Sequence, residues 1–280
     1  MKYHHLISLI LLPNIILLHN LTMGQINYKI YGHRGCRGLY PENTITGFEK
    51  AIELGVDGIE IDVVVNKDSQ LIISHEPFID TNYCIVLKSS SENLNIYKMN
   101  LDEIRKIDCG SKVLNRFPQQ EKTVERKPSF KEFESHFNNY DGEILFEIKC
   151  EPKLIGKYYP EYKSYANFIY NETINSKLIN NITFMSFDVN ILNELHKRIP
   201  DSKYVLLLDS YNIEKIESLN FKEVTLGINH EFLDLETIHL IKNKHYKIYA
   251  WTVNSKDKFE KLVADGVEGI ITDYPNIITK

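Results

Sequence analysis

The sequence predicts an α/β protein folded as a (β/α)8 TIM barrel, and three observations carry that prediction. From residue 25 onward, short β-branched or apolar runs alternate with segments of helical period, the pattern of a parallel sheet whose strands are joined by helices. Nine such runs fall within about 250 residues, a spacing that suits a closed barrel better than an open sheet. Gly55-Val-Asp-Gly-Ile-Glu-Ile-Asp62 is also echoed by Gly266-Val-Glu-Gly-Ile-Ile-Thr-Asp273. Each reads helix stop, turn, strand and terminal Asp, as repeated βα units would.

In chain order, strands are expected at Tyr28–Gly32, Gly58–Val65, Leu71–Ser74, Glu143–Lys149, Ile182–Phe187, Tyr204–Leu208, Val224–Ile228, Lys247–Val253 and Gly269–Thr272. Between the first two, Ile45, Phe48 and Ile52 form a helical stripe, with Thr46 and Glu49 spaced as a capping box and Gly55 as the stop. The last helix rests on Phe259, Leu262 and Val263, opened by Ser255 and closed by Gly266. The stretch from about 76 to 128 breaks the alternation. Rich in Ser, Asn, Lys and Glu, it is expected as a polar insertion after the second barrel strand, either capping the substrate or running over the surface.

Ahead of the barrel, Lys2 precedes an apolar run, Leu6 to Leu18, interrupted by Pro13 and Asn14 and too short to span a bilayer comfortably. Thr22 and Gly24 set small residues at −3 and −1 of a cut before Gln25, so residues 1–24 read as a signal peptide and 25–280 as the exported barrel domain. An uncleaved anchor is the alternative; no later stretch is a candidate span. The composition, 43% hydrophobic and 25% charged with 13 Gly and 9 Pro, excludes a disordered, collagen-like or disulfide-dense chain. A net charge of −5 with scattered Lys and Arg leaves no footprint for nucleic acid. Four cysteines, Cys36, Cys84, Cys109 and Cys150, match no zinc spacing and allow two disulfides in three connectivities. A shared polar segment favours Cys84 with Cys109; buried free thiols are equally compatible.

The chemistry concentrates at strand ends. His33 and Arg34 close the first strand, one a proton-transfer group, the other a planar fork for phosphate oxygens. Glu60 and Asp62 lie two apart on one strand and share a face, with Ile59, Ile61 and Val63 on the other. Two like charges in a partly enclosed place call for a cation, and hard oxygen ligands suit Ca2+ or Mg2+. Glu147 and Lys149 repeat the spacing, one able to complete the ligand set and the other to meet an anion. His75 ends the short strand after the Glu60/Asp62 strand. Two histidines, three carboxylates, Arg34 and Lys149 together describe metal-assisted phosphoryl transfer; no Ser-His-Asp elbow, Walker loop or dinucleotide fingerprint is present.

These residues stand in a series of motifs: His33-Arg34-Gly35, Pro41-Glu42-Asn43-Thr44, Gly55-x-Asp57-x-x-Glu60-x-Asp62-Val63, Lys67-Asp68, the His75 strand, Phe146-Glu147-Ile148-Lys149, Trp251-Thr252-Val253-Asn254 and Thr272-Asp273-Tyr274-Pro275. Their order, from about Tyr31 to Pro275, resembles the glycerophosphodiester phosphodiesterase family. The resemblance implies Glu60, Asp62 and Glu147 as ligands of one divalent cation, Ca2+ or Mg2+, and His33 and His75 as the acid/base pair. It further implies Arg34 and Lys149 as phosphate contacts, Trp251 as a pocket wall, and hydrolysis of a glycerophosphodiester to glycerol 3-phosphate and an alcohol. Water attack and attack by a neighbouring substrate hydroxyl, giving a cyclic phosphate, are both open. The chain has His75-Glu76 where the family commonly has His-Asp, which shifts a supporting contact and keeps the imidazole. From the residues alone, Pro41 to Thr44 read as a turn and helix cap, with Glu42 a candidate support for His33 or the metal, Trp251 as core or wall, and Asp273 as a turn-capping Asp. Two further readings are a barrel phospholipase acting on intact lipids, for which the polar insertion offers little apolar rim, and a non-catalytic phosphate-binding module, for which two histidines are superfluous.

Overall fold

Period-two alternation sets the strands of the computed structural model, which describes residues 27–86 and 94–278; the expected signal peptide lies outside the described residues. They are β1 (Lys29–Gly32), β2 (Gly58–Val65), β3 (Leu71–Ile73), β4 (Glu143–Ile148), β5 (Ile182–Ser186), β6 (Lys203–Leu208), β7 (Thr225–Asn229), β8 (Ile248–Trp251) and β9 (Gly269–Thr272). Eight run parallel and close on themselves, β1 pairing with both β9 and β2. β3 stands outside the ring as an antiparallel extension of β2, with Val63 opposite Ile73. Asn66 forms the turn between them, its Oδ1 accepting from the N–H groups of Asp68 and Gln70 at 2.9 Å each, so Lys67 and Asp68 lie on an exposed hairpin tip.

The helices are α1 (Ile45–Glu53), α2 (Leu101–Ile104), α3 (Phe130–His136), α4 (Tyr162–Thr173), α5 (Val189–His196), α6 (Ile213–Glu217), α7 (Leu235–Asn243) and α8 (Lys256–Ala264). Ser255 caps α8 as expected, accepting from the Lys258 N–H. The Thr46/Glu49 capping box does not form. Thr44 opens α1, accepting from the Gly47 N–H at 3.0 Å, while Thr46 bonds Glu125 and Glu49 pairs with His136. Gly55 and Gly266 follow their helices at φ of 80° and 97°, the left-handed conformation that ends a helix most cheaply with glycine.

Two apolar compartments result. Ile59, Ile61 and Val63 point outward to meet Phe48, Phe146 and the other helix-facing side chains. Tyr31, Leu145, Met185, Val205, Leu207, Tyr249 and Ile271 point inward and fill the barrel. Glycine is needed where the two tyrosine rings lie: a Cβ would sit 2.7 Å from the Tyr31 ring at Gly58 and 2.3 Å from the Tyr249 ring at Gly269. Burying a large apolar side chain is worth roughly 1.5–3 kcal/mol, so this interior is a packed plug and the mouth is the route to the residues above it. Below the plug, the Glu143 carboxylate accepts from Lys29, Tyr31 and Thr183 at 2.6, 2.7 and 2.7 Å.

The segment between β3 and α3 carries α2, a single turn of 3-10 helix at Ile96–Lys98, and a Cys84–Cys109 disulfide; Cys36 and Cys150 are free. Its composition is polar, yet Ile79, Ile96, Met99, Ile104 and Ile107 are sunk into the outer compartment. No helix among the described residues is long and apolar enough to cross a membrane.

Candidate active site

The alternation that fills the barrel with apolar residues places charged ones at its upper rim. On β4 the inward series runs Glu143, Leu145, Glu147 and then Lys149 just past the strand end, and Asp62 of β2 stands in register with Glu147. One oxygen from each of Glu60, Asp62 and Glu147 lies within 4.8 Å of the others, and all three residues are buried. The Arg34 backbone N–H donates to Glu60 Oε2 at 2.7 Å. Asn43, at φ 55°, brackets Asp62: its Nδ2 donates to Oδ2 at 2.8 Å and its Oδ1 accepts from the Asp62 N–H at 3.2 Å. The Arg34 guanidinium donates to Glu42 at 2.7 Å and lies 3.3 Å from Asp62, while Lys149 donates to Glu147 and stands 3.6 Å from Asp62.

Burial, with Asp62 and Glu147 adding to it, pushes Glu60 well above the usual carboxylate range. Burial opposes ionisation of Asp62 too, but Arg34, His75, Lys149 and the Asn43 hydrogen bond together hold its carboxyl well below that range. Glu60 Oε1 and Asp62 Oδ1 are buried without a hydrogen-bond partner, an arrangement that costs about 1–3 kcal/mol per group. Across the linked groups, six carboxylates (Glu42, Glu60, Asp62, Glu76, Glu147, Asp273) face four basic side chains (Arg34, Arg37, Lys127, Lys149). Two negative charges remain when all are ionised, which one divalent cation balances. Two orphaned hard oxygens and this excess fit Ca2+ or Mg2+ held by Glu60, Asp62 and Glu147.

His33 follows β1 directly. Its Nδ1 pairs with Asp273 Oδ1 at 2.7 Å, which leaves Nε2 facing the cluster, 3.9 Å from Glu60 Oε2. Asp273 is itself held by Arg37 Nε at 2.5 Å and Asn254 Nδ2 at 2.8 Å. Burial, reinforced by Arg37, lowers the His33 pKa to about 4 against the pull of Asp273, so the ring is neutral above that pH. His75 follows β3 and pairs through Nδ1 with Glu76 Oε1 at 2.8 Å. It lines a cleft of about 340 Å³ with Glu147, Lys149, Tyr159 and Phe187. A second cleft of about 270 Å³, lined by Arg34, Tyr83, Arg116 and Phe117, meets the first at Glu76. Trp251 is half-buried at the end of β8, its indole N–H donating to the Gly227 carbonyl at 3.0 Å and its ring 5.4 Å from that of Phe187.

The eight expected site residues thus lie on or just past β1, β2, β3, β4 and β8, Trp251 among them at the end of β8 against Phe187. Three others were not expected as functional. Asp273 partners His33 rather than only capping a turn, and its place in the Gly266–Asp273 echo of the Asp62 segment was the available signal. Asn43 supports Asp62 rather than α1, and Arg37 fixes Asp273 without any local signal. Glu42 supports Arg34 rather than His33, and Asp57 is structural, accepting from the Ile30 N–H at 2.8 Å.

The model of the glycerophosphoryl diester phosphodiesterase family matches residues 33–277. The chain is 28% identical over 258 residues to a glycerophosphodiester phosphodiesterase of Caldanaerobacter subterraneus subsp. tengcongensis, covering 89% of this chain and 95% of that one. It is 26% identical over 259 residues to the Bacillus subtilis glycerophosphodiester phosphodiesterase, covering 89% and 84%. Its fold superposes on a solved structure from Silicibacter pomeroyi DSS-3 with a TM-score of 0.78 at 22% identity, over 89% of this chain and 91% of that one. An Oleispira antarctica phosphodiesterase solved with its product sn-glycerol-3-phosphate gives 0.69 at 23%, over 89% and 94%. With a matched span that reaches from His33 past Asp273, the chain belongs to the glycerophosphoryl diester phosphodiesterase family.

Proposed function

We propose that the protein hydrolyses glycerophosphodiesters to glycerol 3-phosphate and an alcohol, using one divalent cation and the His33/His75 pair. One observation carries the reading: two imidazoles, each tied at Nδ1 to a carboxylate, stand beside three buried carboxylates that have two unpartnered oxygens. Held by Glu60, Asp62 and Glu147, a Ca2+ or Mg2+ ion supplies positive charge that offsets the phosphoryl oxygens. Arg34 and Lys149 extend that positive field to the phosphate. One imidazole accepts the proton of the attacking hydroxyl as the new P–O bond forms, and the other returns a proton to the alkoxide as the old P–O bond breaks. Trp251, its indole fixed by Gly227, and Phe187 give the glycerol carbons an apolar wall. We also propose export, which suits both the leader-like residues 1–24 and a Cys84–Cys109 disulfide; N-terminal sequencing of the secreted protein, expected to begin at Gln25, checks it.

Phosphorus NMR of the products across a panel of soluble glycerophosphodiesters tests the activity. Glycerol 3-phosphate is expected, its formation abolished by EDTA, and His33→Ala and His75→Ala each lose on the order of 10²-fold or more in kcat. Either variant retaining near-full activity refutes the assignment of the pair. Turnover confined to lipid vesicles turns the reading toward a phospholipase.

A further inference from the structure

We propose that Tyr83 and Lys127, supplied by the segment between β3 and α3, are positioning residues that hold His75 through Glu76. The proposal rests on the reading of His75 as a proton-transfer group. From the ring outward the contacts are continuous. Glu76 Oε1 meets His75 Nδ1 at 2.8 Å, Tyr83 Oη donates to Glu76 Oε2 at 2.5 Å, and Lys127 Nζ donates to Tyr83 Oη at 2.8 Å and lies 4.9 Å from the centre of its ring.

The need for such support is visible at the ring itself. The His75 side chain is 31% exposed and follows a strand of only three residues. His33, by comparison, is 12% exposed and its carboxylate partner is fixed by both Arg37 and Asn254. Glu76 is the counterpart of Asp273, and a lone, partly exposed glutamate has three rotatable bonds to settle. Tyr83 and Lys127 remove that freedom from a buried position, at 8% and 3% exposure. A cation donating through a phenol into a carboxylate also aligns each dipole with the next, which strengthens the chain. With Nδ1 held by Glu76, Nε2 is the ring nitrogen left for proton transfer in the cleft.

Both ends of the chain are anchored to the barrel and to each other. The residues after Lys127 run along β3, with the Ile73 N–H donating to the Pro128 carbonyl at 2.8 Å. Cys84, next to Tyr83, is bonded to Cys109, whose N–H donates to the Glu125 carbonyl at 2.7 Å, two residues before Lys127. The disulfide therefore ties the turn bearing Tyr83 to the extended segment bearing Lys127. Polar in composition, the insertion delivers its function through two buried side chains.

Tyr83→Phe keeps the ring and removes only the hydroxyl, and Lys127→Met keeps the length and removes the charge. Each is expected to lower kcat for glycerophosphocholine by on the order of 10-fold with KM within about two-fold of the parent, and Glu76→Gln by more. The paired variant Tyr83→Phe/Lys127→Met should cost little beyond either single change, because both break one chain. In ¹⁵N-histidine spectra of the full protein, recorded at a pH where the ring is found to be neutral, His75 is expected as one Nδ1-protonated tautomer that becomes a tautomer mixture in all three single variants, a change that a merely structural role would not produce. Parent-like kcat and His75 signals in folded Tyr83→Phe and Lys127→Met overturn the proposal, as does a rise in KM alone. If His75→Ala is inactive in that case, the proposed function stands without the relay; if His75→Ala is active, the reading of His75 itself fails.

Discussion

Replacing Asp273 with Asn isolates the support of the first histidine. All four contacts to the Asp273 carboxylate come from donors or from a ring nitrogen that must carry a proton to bond: Oδ1 meets His33 Nδ1 at 2.7 Å and Arg37 Nε at 2.5 Å, and Oδ2 meets Asn254 Nδ2 at 2.8 Å and Arg37 Nη2 at 3.4 Å. An amide cannot satisfy them. With its NH2 toward Asn254 it sets donor against donor, and with its NH2 toward His33 it forces the proton to Nε2, the nitrogen that faces the cluster. A hydrogen bond to a charged group is worth about 1.5–3 kcal/mol, and about 1.4 kcal/mol is tenfold in rate. Asp273→Asn should therefore lower kcat by roughly 10- to 150-fold, with KM little changed because Asp273 itself is 2% exposed beneath the mouth. The assay is the initial rate of glycerol 3-phosphate release over a substrate series, beside a thermal melt that shows the variant is folded. A folded Asp273→Asn enzyme with parent-like kcat, or with its whole loss in KM, refutes the argument that Asp273 sets the His33 tautomer.

Calorimetry should find glycerol 3-phosphate bound at least about 10-fold more weakly in EDTA than with Ca2+ or Mg2+, since the uncompensated carboxylates repel an anion; equal affinity would contradict the cation site. Trp251→Ala should raise KM by about 10-fold through the lost apolar wall, and a change in kcat alone would remove Trp251 from the pocket. At the opposite end, hydrogen bonds from Lys29, Thr183 and Tyr31 outweigh burial and lower the Glu143 pKa from its ordinary 4.5. A carboxyl lowered in the fold adds stability above pH 4.5 that is lost as pH falls through its folded value. Urea unfolding should then show Glu143→Gln about 1–3 kcal/mol less stable than the parent at neutral pH, the gap narrowing in acid; a constant gap counts against the linkage. Removing the Cys84–Cys109 disulfide, with a sequence separation of 25, should cost about 3.5 kcal/mol on loop entropy, and an unchanged urea midpoint would refute this.

Much of the architecture was legible because barrel strands obey a local rule. Alternation on β2 separates Glu60 and Asp62 from Ile59, Ile61 and Val63, and the same rule on β4 aligns Glu147 with Asp62. A strand register is thus enough to assemble the three-carboxylate cluster from residues far apart in sequence. What alternation does not encode is how those groups are held. The His33–Asp273 pair closes across 240 residues, and Asp273 ends its strand as Asp62 does while serving a different partner. Asn43 and Thr44 both suit a helix cap by type; Thr44 takes that role, which leaves Asn43 to bracket Asp62. The Thr46/Glu49 spacing matched a capping box, but a cap requires the extended backbone found at Thr44, and Thr46 lies inside the helix. The region from 76 to 128 was hardest to read. Its average composition is polar, yet about as many of its described residues are buried as are exposed, and its structural role rests on the buried ones. Tyr83 and Lys127 are 44 residues apart and share no periodicity, and they meet only because a disulfide and the edge of β3 bring them together. The three clustered carboxylates sit on regular strands and were readable from spacing. The residues that aim the second histidine sit on an irregular excursion, where only the tertiary contacts reveal them.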